Sequence, residues 1–332
     1  MAMPCGVRMA GVGSAVPEGK LTNADLEKMM NTSDEWIVQR TGISERRVLD
    51  RDKGESQLQL ATDAMRGALD DADMVGGDLD LIIQASVSSV MTCPSNASRI
   101  AASVGAQPAG AFDLVAACSG FVYAMNVADS LIRSGRHKAI GVIGCDAMST
   151  IVDYEERGVS ILFGDAAGAA VLVADDDPNR GCIHQVIEGD GRNWPSLYIP
   201  RFERDVPPDA TAAPTKLGCL RMDGRDVYKF AVGKFREVIK NAMDSTGKTV
   251  DDISQFICHQ SNIRIIESAK EKLGLPDDKV YINIDRYGNS SAGSVGLCLH
   301  QLWEAGKVKP GDTIMMVAFG GGLTWASSVW NV

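Results

Sequence analysis

The sequence predicts an α/β protein built from two duplicated βα halves. Two observations predict this class: short apolar strands alternate with amphipathic helices, and segments of the first half recur in the second half at nearly one spacing. The chain of 332 residues is long enough for two packed units of ordinary domain size. Its composition, 45% hydrophobic and 23% charged, is typical of a globular protein with a sizeable core.

Strands are predicted where short apolar runs are bounded by turn residues. In the first half these runs are 79–83, 111–115, 139–144 and 169–173. The apolar residues of 121–132 recur at the three- and four-residue intervals of a helix with one buried face. Strands that alternate with helices in this way favour a mostly parallel sheet.

The second half repeats the order of the first. Three segments recur after 171 to 174 positions, which indicates an internal duplication. The matched pairs are 81–87 with 255–261, Cys118 with Asn289–Ser290, and 141–147 with 315–321. If related halves pack about a pseudo-twofold axis, the loops at the carboxyl ends of equivalent strands face one cleft, and ligands of open α/β sheets bind at those ends.

The duplication also predicts the domain boundaries. They are an N-terminal half over 1–175, a connecting loop region over 176–220 and a C-terminal half over 221–332. Residues 175–220 are richer in Pro, Asp and Gly, and the stretch 193–214 is interpreted as a long loop, either functional or a solvated connector. Gly11-Val12-Gly13 is too short for a dinucleotide fingerprint and is interpreted as a turn at a strand end.

Charge and cysteine usage exclude several classes of protein. A net charge of -10 argues against nucleic acid as the main partner, because phosphate binding needs a basic surface. No apolar run approaches the ~20 residues that span a bilayer, and the N-terminus lacks the layout of a signal peptide. Eight cysteines without a Cys-x-x-Cys pair argue against a zinc site. We therefore expect a cytoplasmic protein with reduced thiols, no metal and no membrane partner.

Cys118 is the candidate nucleophile. It follows a predicted strand and immediately precedes an amphipathic helix, in Ala116-Ala117-Cys118-Ser119-Gly120. At a helix N-terminus, free backbone N–H groups favour a thiolate and can hold an oxyanion. From the spacing alone, a cysteine that only packs this junction is an equally open interpretation.

His259 and Asn289 are the candidate partners of Cys118. His259 alone among four histidines follows a buried strand and enters a polar turn, although a core histidine satisfied by backbone would fit there too. Asn289 begins a helix among small residues, where it can serve as an N-cap or as an untitrating amide donor. The glycines of 320–322 lack the Lys-Ser/Thr ending of a phosphate loop, so we expect them to allow close backbone approach instead.

Taken together, the motifs resemble the β-ketoacyl-acyl-carrier-protein synthase III family of thiolase-like condensing enzymes. Six motifs carry the resemblance, in order and over essentially the whole chain. They lie at 34–43, 116–121, 163–169, 259–264, 288–292 and 319–322. The resemblance implies a five-layered α-β-α-β-α sandwich and a homodimer. It also implies decarboxylative condensation of an acyl-coenzyme A primer with malonyl-acyl-carrier protein, with no cofactor besides the coenzyme A of the substrate.

The resemblance assigns roles to particular residues. It implies a Cys-His-Asn triad at Cys118, His259 and Asn289, and an oxyanion hole at the N–H groups of Cys118 and Gly321. The remaining roles fall into three sets. Coenzyme A would contact Thr32, Trp36, Arg40, Arg157 and Asn262; the carrier protein would dock on Lys229 and Arg264; and Cys93 would border the acyl pocket of the partner subunit.

The sequence departs from the family's usual pattern at several of these places. Cys93 stands where short-chain members often carry Phe, so we expect a longer or wider acyl channel and a primer other than acetyl. Glu271 replaces a usual Lys beside the carrier surface, Arg225 replaces a usual Asn near coenzyme A, and Cys258 replaces the Pro before His259. Two alternatives stay open: an acyltransferase of the same fold with another primer or a heteroatom acceptor, and a catalytically silent acyl-binding subunit.

Overall fold

The computed structural model describes residues 5–208 and 216–332. Its strands, in chain order, are β1 (Gly6–Ala15), β2 (Lys20–Thr22), β3 (Glu45–Arg47), β4 (Leu81–Ala85), β5 (Gly110–Leu114), β6 (Ala139–Ala147), β7 (Asp165–Asp175), β8 (Gly181–Gly189), β9 (Leu197–Tyr198), β10 (Arg221–Met222), β11 (Gln255–Cys258), β12 (Thr313–Gly320) and β13 (Thr324–Asn331). The four strands predicted from apolar runs correspond to β4, β5, β6 and β7.

Ten α-helices lie in the described parts of the chain. They are α1 (Asn23–Met29), α2 (Asp34–Thr41), α3 (Gln57–Asp71), α4 (Asn96–Val104), α5 (Gly120–Arg133), α6 (Arg157–Ser160), α7 (Gly224–Thr246), α8 (Ile263–Leu273), α9 (Ile284–Tyr287) and α10 (Gly293–Glu304). The helix predicted over 121–132 is α5. No helix in the described ranges is both long and apolar enough to cross a bilayer.

Two sheets carry the fold. The first has the strand order β1-β7-β6-β4-β5 and the second has the order β11-β12-β13-β8. Strand β4 pairs in parallel with β5 and β6, whereas β7 runs antiparallel to β6 and β1. Both sheets are therefore mixed rather than uniformly parallel. Strand β13 returns directly after β12, whereas the segment between β6 and β7 contains α6.

The elements stack in five layers. Helices α3 and α4 cover the outer face of the first sheet, and α7 and α8 cover the outer face of the second. Helices α5 and α10 lie between the two sheets and share one apolar core with both. This is the five-layered α-β-α-β-α sandwich that the resemblance predicts.

The strand order of one half repeats that of the other. Strands β4, β6, β7 and β1 correspond in position and direction to β11, β12, β13 and β8. The counterpart of β5 is reduced to one parallel bridge between Phe256 and Val280. Cys118 follows β5, and Asn289 follows its counterpart, so the predicted duplication is confirmed and places these two residues at equivalent points.

Two segments differ from their sequence-based interpretation. The connecting region contains β8, which completes the second sheet beside β13, so it is more than a loop. The interpretation of Gly11-Val12-Gly13 as a turn is wrong, because these residues lie inside β1. Helix α3 packs so closely there that a Cβ on Gly13 would come within 2.3 Å of the Ala64 carbonyl oxygen.

Candidate active site

Cys118 lies on a tight turn between the two halves. Strand β5 ends at Leu114, residues Ala117–Ser119 form a 3₁₀ turn, and α5 begins at Gly120. Ala117 adopts φ +46°, a left-handed conformation that is uncommon outside glycine. From the second half, the Thr324 hydroxyl donates to the Ala116 carbonyl at 3.2 Å. The turn that presents the thiol is therefore held by contacts from both halves.

Gly320 brings the second half directly against this turn. A Cβ on Gly320 would lie 2.7 Å from the Cys118 backbone nitrogen and 3.2 Å from its Cα. No side chain fits at such distances, so glycine is required at the end of β12. The close approach predicted for the glycines of 320–322 is thus made by Gly320, whereas Gly321 faces Leu197.

Burial controls the acidity of Cys118. The side chain is 7% exposed, and this desolvation raises the pKa of the thiol to about 12. The negative charge of Asp146 raises the pKa further, while a hydrogen bond from Ser291 lowers it. The expected effect of the helix N-terminus, which favours a thiolate, is thus opposed by burial, which favours the neutral thiol.

His259 follows β11 and is held on three sides. Its backbone N–H donates to the Val317 carbonyl at 2.8 Å, and its ring packs edge-on against Phe319 at 5.5 Å between centroids. Its Nδ1 lies 2.7 Å from the Ser294 hydroxyl. Burial lowers the pKa of His259 to about 3, so the ring is neutral at physiological pH.

Ser294 is the hydrogen-bond partner of the His259 ring. The Gln260 backbone N–H also points to the Ser294 oxygen at 3.5 Å, and we assign the serine hydroxyl as the donor to Nδ1. On this assignment the proton of the neutral ring is on Nε2. His259 then presents an N–H donor rather than a base.

Hydrogen bonds also orient Asn289 so that its side chain can act as a donor. Its backbone N–H donates to the Leu162 carbonyl at 2.8 Å, and its carbonyl accepts from Gly164 at 3.0 Å. Its side-chain oxygen accepts from the Ser291 backbone N–H at 2.9 Å. With the oxygen occupied, the amide NH₂ group is left to face the cavity.

One cavity of about 410 Å³ is lined by all three side chains, Cys118, His259 and Asn289. The sulfur comes from the first half, and the imidazole and amide come from the second, as the duplicated topology predicts. Phe163, Phe319 and Leu323 form much of its apolar wall. The cavity opens between α2 and α7, where its lining includes Trp36, Arg40, Arg225, Asn262 and Arg264.

Stacked side chains form the mouth of this cavity. The guanidinium carbons of Arg157 and Arg40 lie 4.6 and 4.8 Å from the centroid of the Trp36 ring. Asn262 caps α8 and donates to the Arg40 carbonyl at 3.0 Å, which ties this helix to α2. The buried hydroxyl of Thr32 has no hydrogen-bond partner in the described structure.

The mouth carries a concentration of positive charge on an acidic protein. Arg40, Arg225 and Arg264 line the cavity, Arg157 stacks beside them, and Lys229 is exposed on the neighbouring helix α7. Within residues 5–208 and 216–332, none of these five cations forms an ion pair. Unpaired cations around an opening attract an anionic ligand.

A second cavity, of about 580 Å³, adjoins the other side of Cys118. Its lining combines the 86–92 segment, the connecting region and the glycine turn. The lining includes Ser86, Met91, Asp113, Cys118, Leu197, Arg201, Ser291 and Gly321. Cys93 is exposed and does not line this cavity of its own chain.

Several residues of the site escape sequence reasoning. Phe319 and Ser294 contact His259, Ser291 contacts Cys118, and Leu197 lines both cavities. Ser291 and Ser294 lie three residues apart shortly after Asn289, and this spacing could have indicated from the sequence that both serines face the site. Leu197 shows that the connecting region forms part of the site wall, one of its two open interpretations.

A buried thiol, a neutral imidazole and a free amide at the contact of two duplicated halves define a thiolase-like, acyl-transferring condensing enzyme. Sequence profiles agree: the profile described as 3-oxoacyl-[acyl-carrier-protein (ACP)] synthase III matches residues 112–191, and that of its C-terminal region matches residues 243–332. β-Ketoacyl-[acyl-carrier-protein] synthase III of Caldanaerobacter subterraneus subsp. tengcongensis is 44% identical over 319 residues, 96% of each chain. The chain belongs to the β-ketoacyl-[acyl-carrier-protein] synthase III family.

Solved structures give the same result. The 3-oxoacyl-[acyl-carrier-protein] synthase III of Aquifex aeolicus VF5 matches with a TM-score of 0.90 and 40% identity, over 98% of this chain and 100% of that one. The priming β-ketosynthase of the R1128 polyketide biosynthetic pathway matches with a TM-score of 0.90 and 33% identity, over 99% and 98% of the two chains. The fold is therefore shared with a 3-oxoacyl-[acyl-carrier-protein] synthase III and with a priming enzyme of a polyketide pathway.

The geometry predicts that His259 stays neutral on Nε2 across physiological pH. Its pKa of about 3 lies below the ordinary value of about 6.5, so NMR of labelled histidine should show no titration of this ring between about pH 5 and 8. Because the unfolded ring binds a proton that the folded ring rejects, His259 should also lower stability as pH falls from about 6.5 toward 3. The His259→Gln variant assigns the signal, and a midpoint near 6.5 for that signal would contradict the prediction.

Proposed function

We propose that this chain condenses an acyl-coenzyme A primer with malonyl-acyl-carrier protein. The reaction releases carbon dioxide and gives a β-ketoacyl-acyl-carrier protein, which initiates fatty-acid or polyketide synthesis. The observation that carries the proposal is the single cavity on which Cys118, His259 and Asn289 converge. The family to which the chain belongs supports the same reaction.

In the first stage, the Cys118 sulfur attacks the thioester carbonyl of the primer. The carbon–sulfur bond to Cys118 forms, the bond to coenzyme A breaks, and coenzyme A leaves as its thiol. The proposed oxyanion donors are the backbone N–H groups of Cys118 and Gly321, both of which border the second cavity. Backbone donors fixed by a tight turn need no reorganisation as charge develops.

In the second stage, malonyl-acyl-carrier protein enters and its thioester oxygen accepts from His259 Nε2–H and the Asn289 amide. Loss of carbon dioxide leaves an enolate, whose carbon attacks the acyl group on Cys118. A donor that cannot titrate suits this oxygen, because a charged imidazolium would release its proton to the enolate. The burial that keeps His259 neutral therefore serves the condensation step directly.

The cationic mouth supports coenzyme A as the donor of the primer. We propose that the adenine enters between Trp36 and Arg157, with Thr32, Arg40 and Asn262 around it. Two van der Waals contacts need about 7 Å between the planes, so Arg157 must move away from its present stacking distance of 4.6 Å. The phosphates then meet unpaired cations, including Arg225.

Carrier docking is proposed on Lys229 and Arg264, at the rim of the same mouth. Both side chains are exposed, and Arg264 is steadied by the Tyr228 ring at 5.5 Å. A positive rim on a chain of net charge -10 gives an acidic carrier protein one place to dock. Glu271 lies on α8, the helix that Arg264 begins, and narrows the positive area.

The second cavity supports a primer larger than acetyl. Its volume of about 580 Å³ exceeds what a two-carbon acyl group fills, and its wall includes Met91 and Leu197. Cys93 is exposed, and we propose that this small residue borders the acyl pocket of the partner subunit and leaves it open.

Strand β5 supports a homodimer. It is the edge strand of the first sheet, and it pairs only with β4 among the described strands. Apolar side chains beside it are exposed, notably Val115 at 76%, Val90 at 52% and Met91 at 47%. An open apolar edge is a liability in a lone chain, so we propose that a second copy covers it and borders the acyl pocket.

The remaining expectations follow from this chemistry. Coenzyme A enters as part of a substrate, and acyl transfer to sulfur followed by decarboxylation needs no resident cofactor. All eight cysteines are free thiols. We place the enzyme in the cytoplasm, where thiols stay reduced.

Asn289→Ala should separate the two stages. The variant keeps Cys118 and the first-stage oxyanion donors, so acylation by acyl-coenzyme A should persist. Condensation should fall by about 10²–10³, the cost of losing one oxyanion donor. Intact-protein mass measures acylation, and carbon dioxide release from malonyl-acyl-carrier protein measures condensation. Equal loss of both stages would contradict the division of roles, and Cys118→Ala provides the unacylated blank.

A panel of acyl-coenzyme A thioesters should identify the primer. We expect Cys118 to gain the mass of straight or branched acyl groups longer than acetyl in a mixture, because the second cavity has room for them. The Cys118→Ala protein should gain none. Strict preference for acetyl would reject the proposed channel, and no added mass on Cys118 with any thioester would reject the enzyme function itself.

Arg264→Glu should weaken the carrier stage alone. Reversing one charge at the mouth should raise KM for malonyl-acyl-carrier protein several-fold, and the effect should shrink with salt. The rate of acylation by a saturating acyl-coenzyme A should change little. Arg236→Glu is the matched control, because Arg236 is exposed on α7 but lines neither cavity. Equal effects of the two reversals would contradict docking at Arg264.

A further inference from the structure

A buried ion-pair network lies behind the mouth of the first cavity. Arg221, in β10, is 8% exposed, and its guanidinium group donates to the carboxylates of Asp153 and Glu156. The Arg221 Nη2 atom lies 3.3 Å from Asp153 Oδ2, and the Asp153 side chain is itself almost fully buried. The ammonium group of Lys216 lies 3.6 Å from the other oxygen of Asp153. Because breaking a buried pair leaves a charge without water around it, this network holds its members firmly together.

The two carboxylates stand just before Arg157 in the chain. Glu156 is the N-cap residue of α6, and Arg157 is the first residue of that helix. The Glu156 N–H donates to the Asp153 carbonyl at 3.0 Å, and the Glu156 carbonyl accepts from the Ser160 N–H at 3.0 Å. A helix of four residues is not stable by itself, so its position depends on the contacts at its ends. The ion pairs with Arg221 are contacts of this kind.

The side chain of Arg157 reaches from this anchored start to the mouth of the cavity. Its Nη1 donates to the Asn31 carbonyl at 2.8 Å, and its guanidinium carbon lies 4.6 Å from the centroid of the Trp36 ring. If adenine enters between Arg157 and Trp36, the arginine side chain moves while its backbone stays in place. A fixed backbone lowers the conformational entropy that is lost on binding.

Arg221 also belongs to the wall that separates the two cavities. Its strand β10 pairs with β9, so that Arg221 lies opposite Tyr198 and Met222 lies opposite Leu197. Met222 lines the first cavity, Leu220 lines the second, and Leu197 lines both. One buried side chain therefore connects the adenine side of the mouth to the wall beside the acyl group.

We propose that Arg221 is a positioning residue for coenzyme A. Through Asp153 and Glu156 it fixes the start of α6, and this keeps Arg157 opposite Trp36. Arg221 lines neither cavity, so it acts on the ligand only through Arg157. The inference rests on the proposed function, because it requires adenine to bind between Trp36 and Arg157.

Two substitutions weaken the network without emptying it. Arg221→Lys keeps the positive charge but loses the planar fork that reaches two carboxylates at once. Glu156→Gln removes the charge of the more exposed carboxylate and keeps the length of the side chain. Arg133→Lys is the matched control, because Arg133 forms an ion pair with the buried Asp129 at 2.9 Å and lines neither cavity.

The first experiment measures the binding of free coenzyme A by calorimetry. Arg221→Lys and Glu156→Gln should each raise Kd about three- to tenfold, as expected for partial loss of one cation–π contact, while Arg133→Lys should stay within about twofold of the parent. An unchanged Kd in both Arg221→Lys and Glu156→Gln overturns the inference.

A double-mutant cycle tests whether Arg221 acts through Arg157. Arg157→Ala should raise Kd for coenzyme A at least as much as Arg221→Lys does. Adding Arg221→Lys to Arg157→Ala should raise Kd little further, because both changes remove the same contact. An equal effect of Arg221→Lys in the two backgrounds, or no effect of Arg157→Ala, overturns the inference.

The second experiment compares an acyl-coenzyme A thioester with the acyl thioester of N-acetylcysteamine, which lacks the adenine and the phosphates. The ratio of their kcat/KM values should fall in Arg221→Lys by the same factor by which Kd rises, since the truncated thioester makes no contact with Arg157. A variant that is only less stable loses both activities together, so an unchanged ratio overturns the inference. If the parent is acylated by neither thioester, the proposed function fails, whereas the coenzyme A affinities still test the position of Arg157.

Discussion

Removal of water from the contact between the two halves is the constraint on which this site depends. Cys118 and His259 are almost fully buried, and burial moves both pKa values so that the thiol keeps its proton and the imidazole stays neutral. Placing a charge on either group costs free energy, because no water solvates it there. The polar chemistry must therefore use hydrogen bonds that are oriented in advance. The Ser294 hydroxyl on His259 Nδ1 and the Ser291 backbone N–H on the Asn289 side-chain oxygen are such bonds.

That constraint explains why the site is assembled from two halves. A single α/β unit places its strand ends at an open edge, where side chains meet water. Packing a second unit against the first, with α5 and α10 between the sheets, closes this edge and brings β12 against the turn that carries Cys118. The missing Cβ of Gly320 is the condition for that closure. Catalytic groups and core share one apolar interface as a result.

The two cavities both border the Cys118 sulfur and reach it from different sides. The first leads from a cationic mouth to the side where His259 and Asn289 present their donors. The second extends past Cys118 toward β5 and the connecting region. An acyl chain on the sulfur can lie in the second cavity while the first admits the next thioester, so the two stages of a condensation need not compete for the same space.

Much of this could be predicted from the sequence alone. The apolar runs and the helical period of 121–132 determined the α/β class. The repeat after 171 to 174 residues determined the duplication and the equivalence of Cys118 with Asn289. Periodicity and spacing can be read from the chain because they do not depend on contacts with other elements. The tertiary structure decided what depends on neighbours from other elements. Gly11 and Gly13 lie within a strand because α3 packs on them, the thiol pKa rises because the second half excludes water, and His259 meets Ser294 only because α10 packs beside β11.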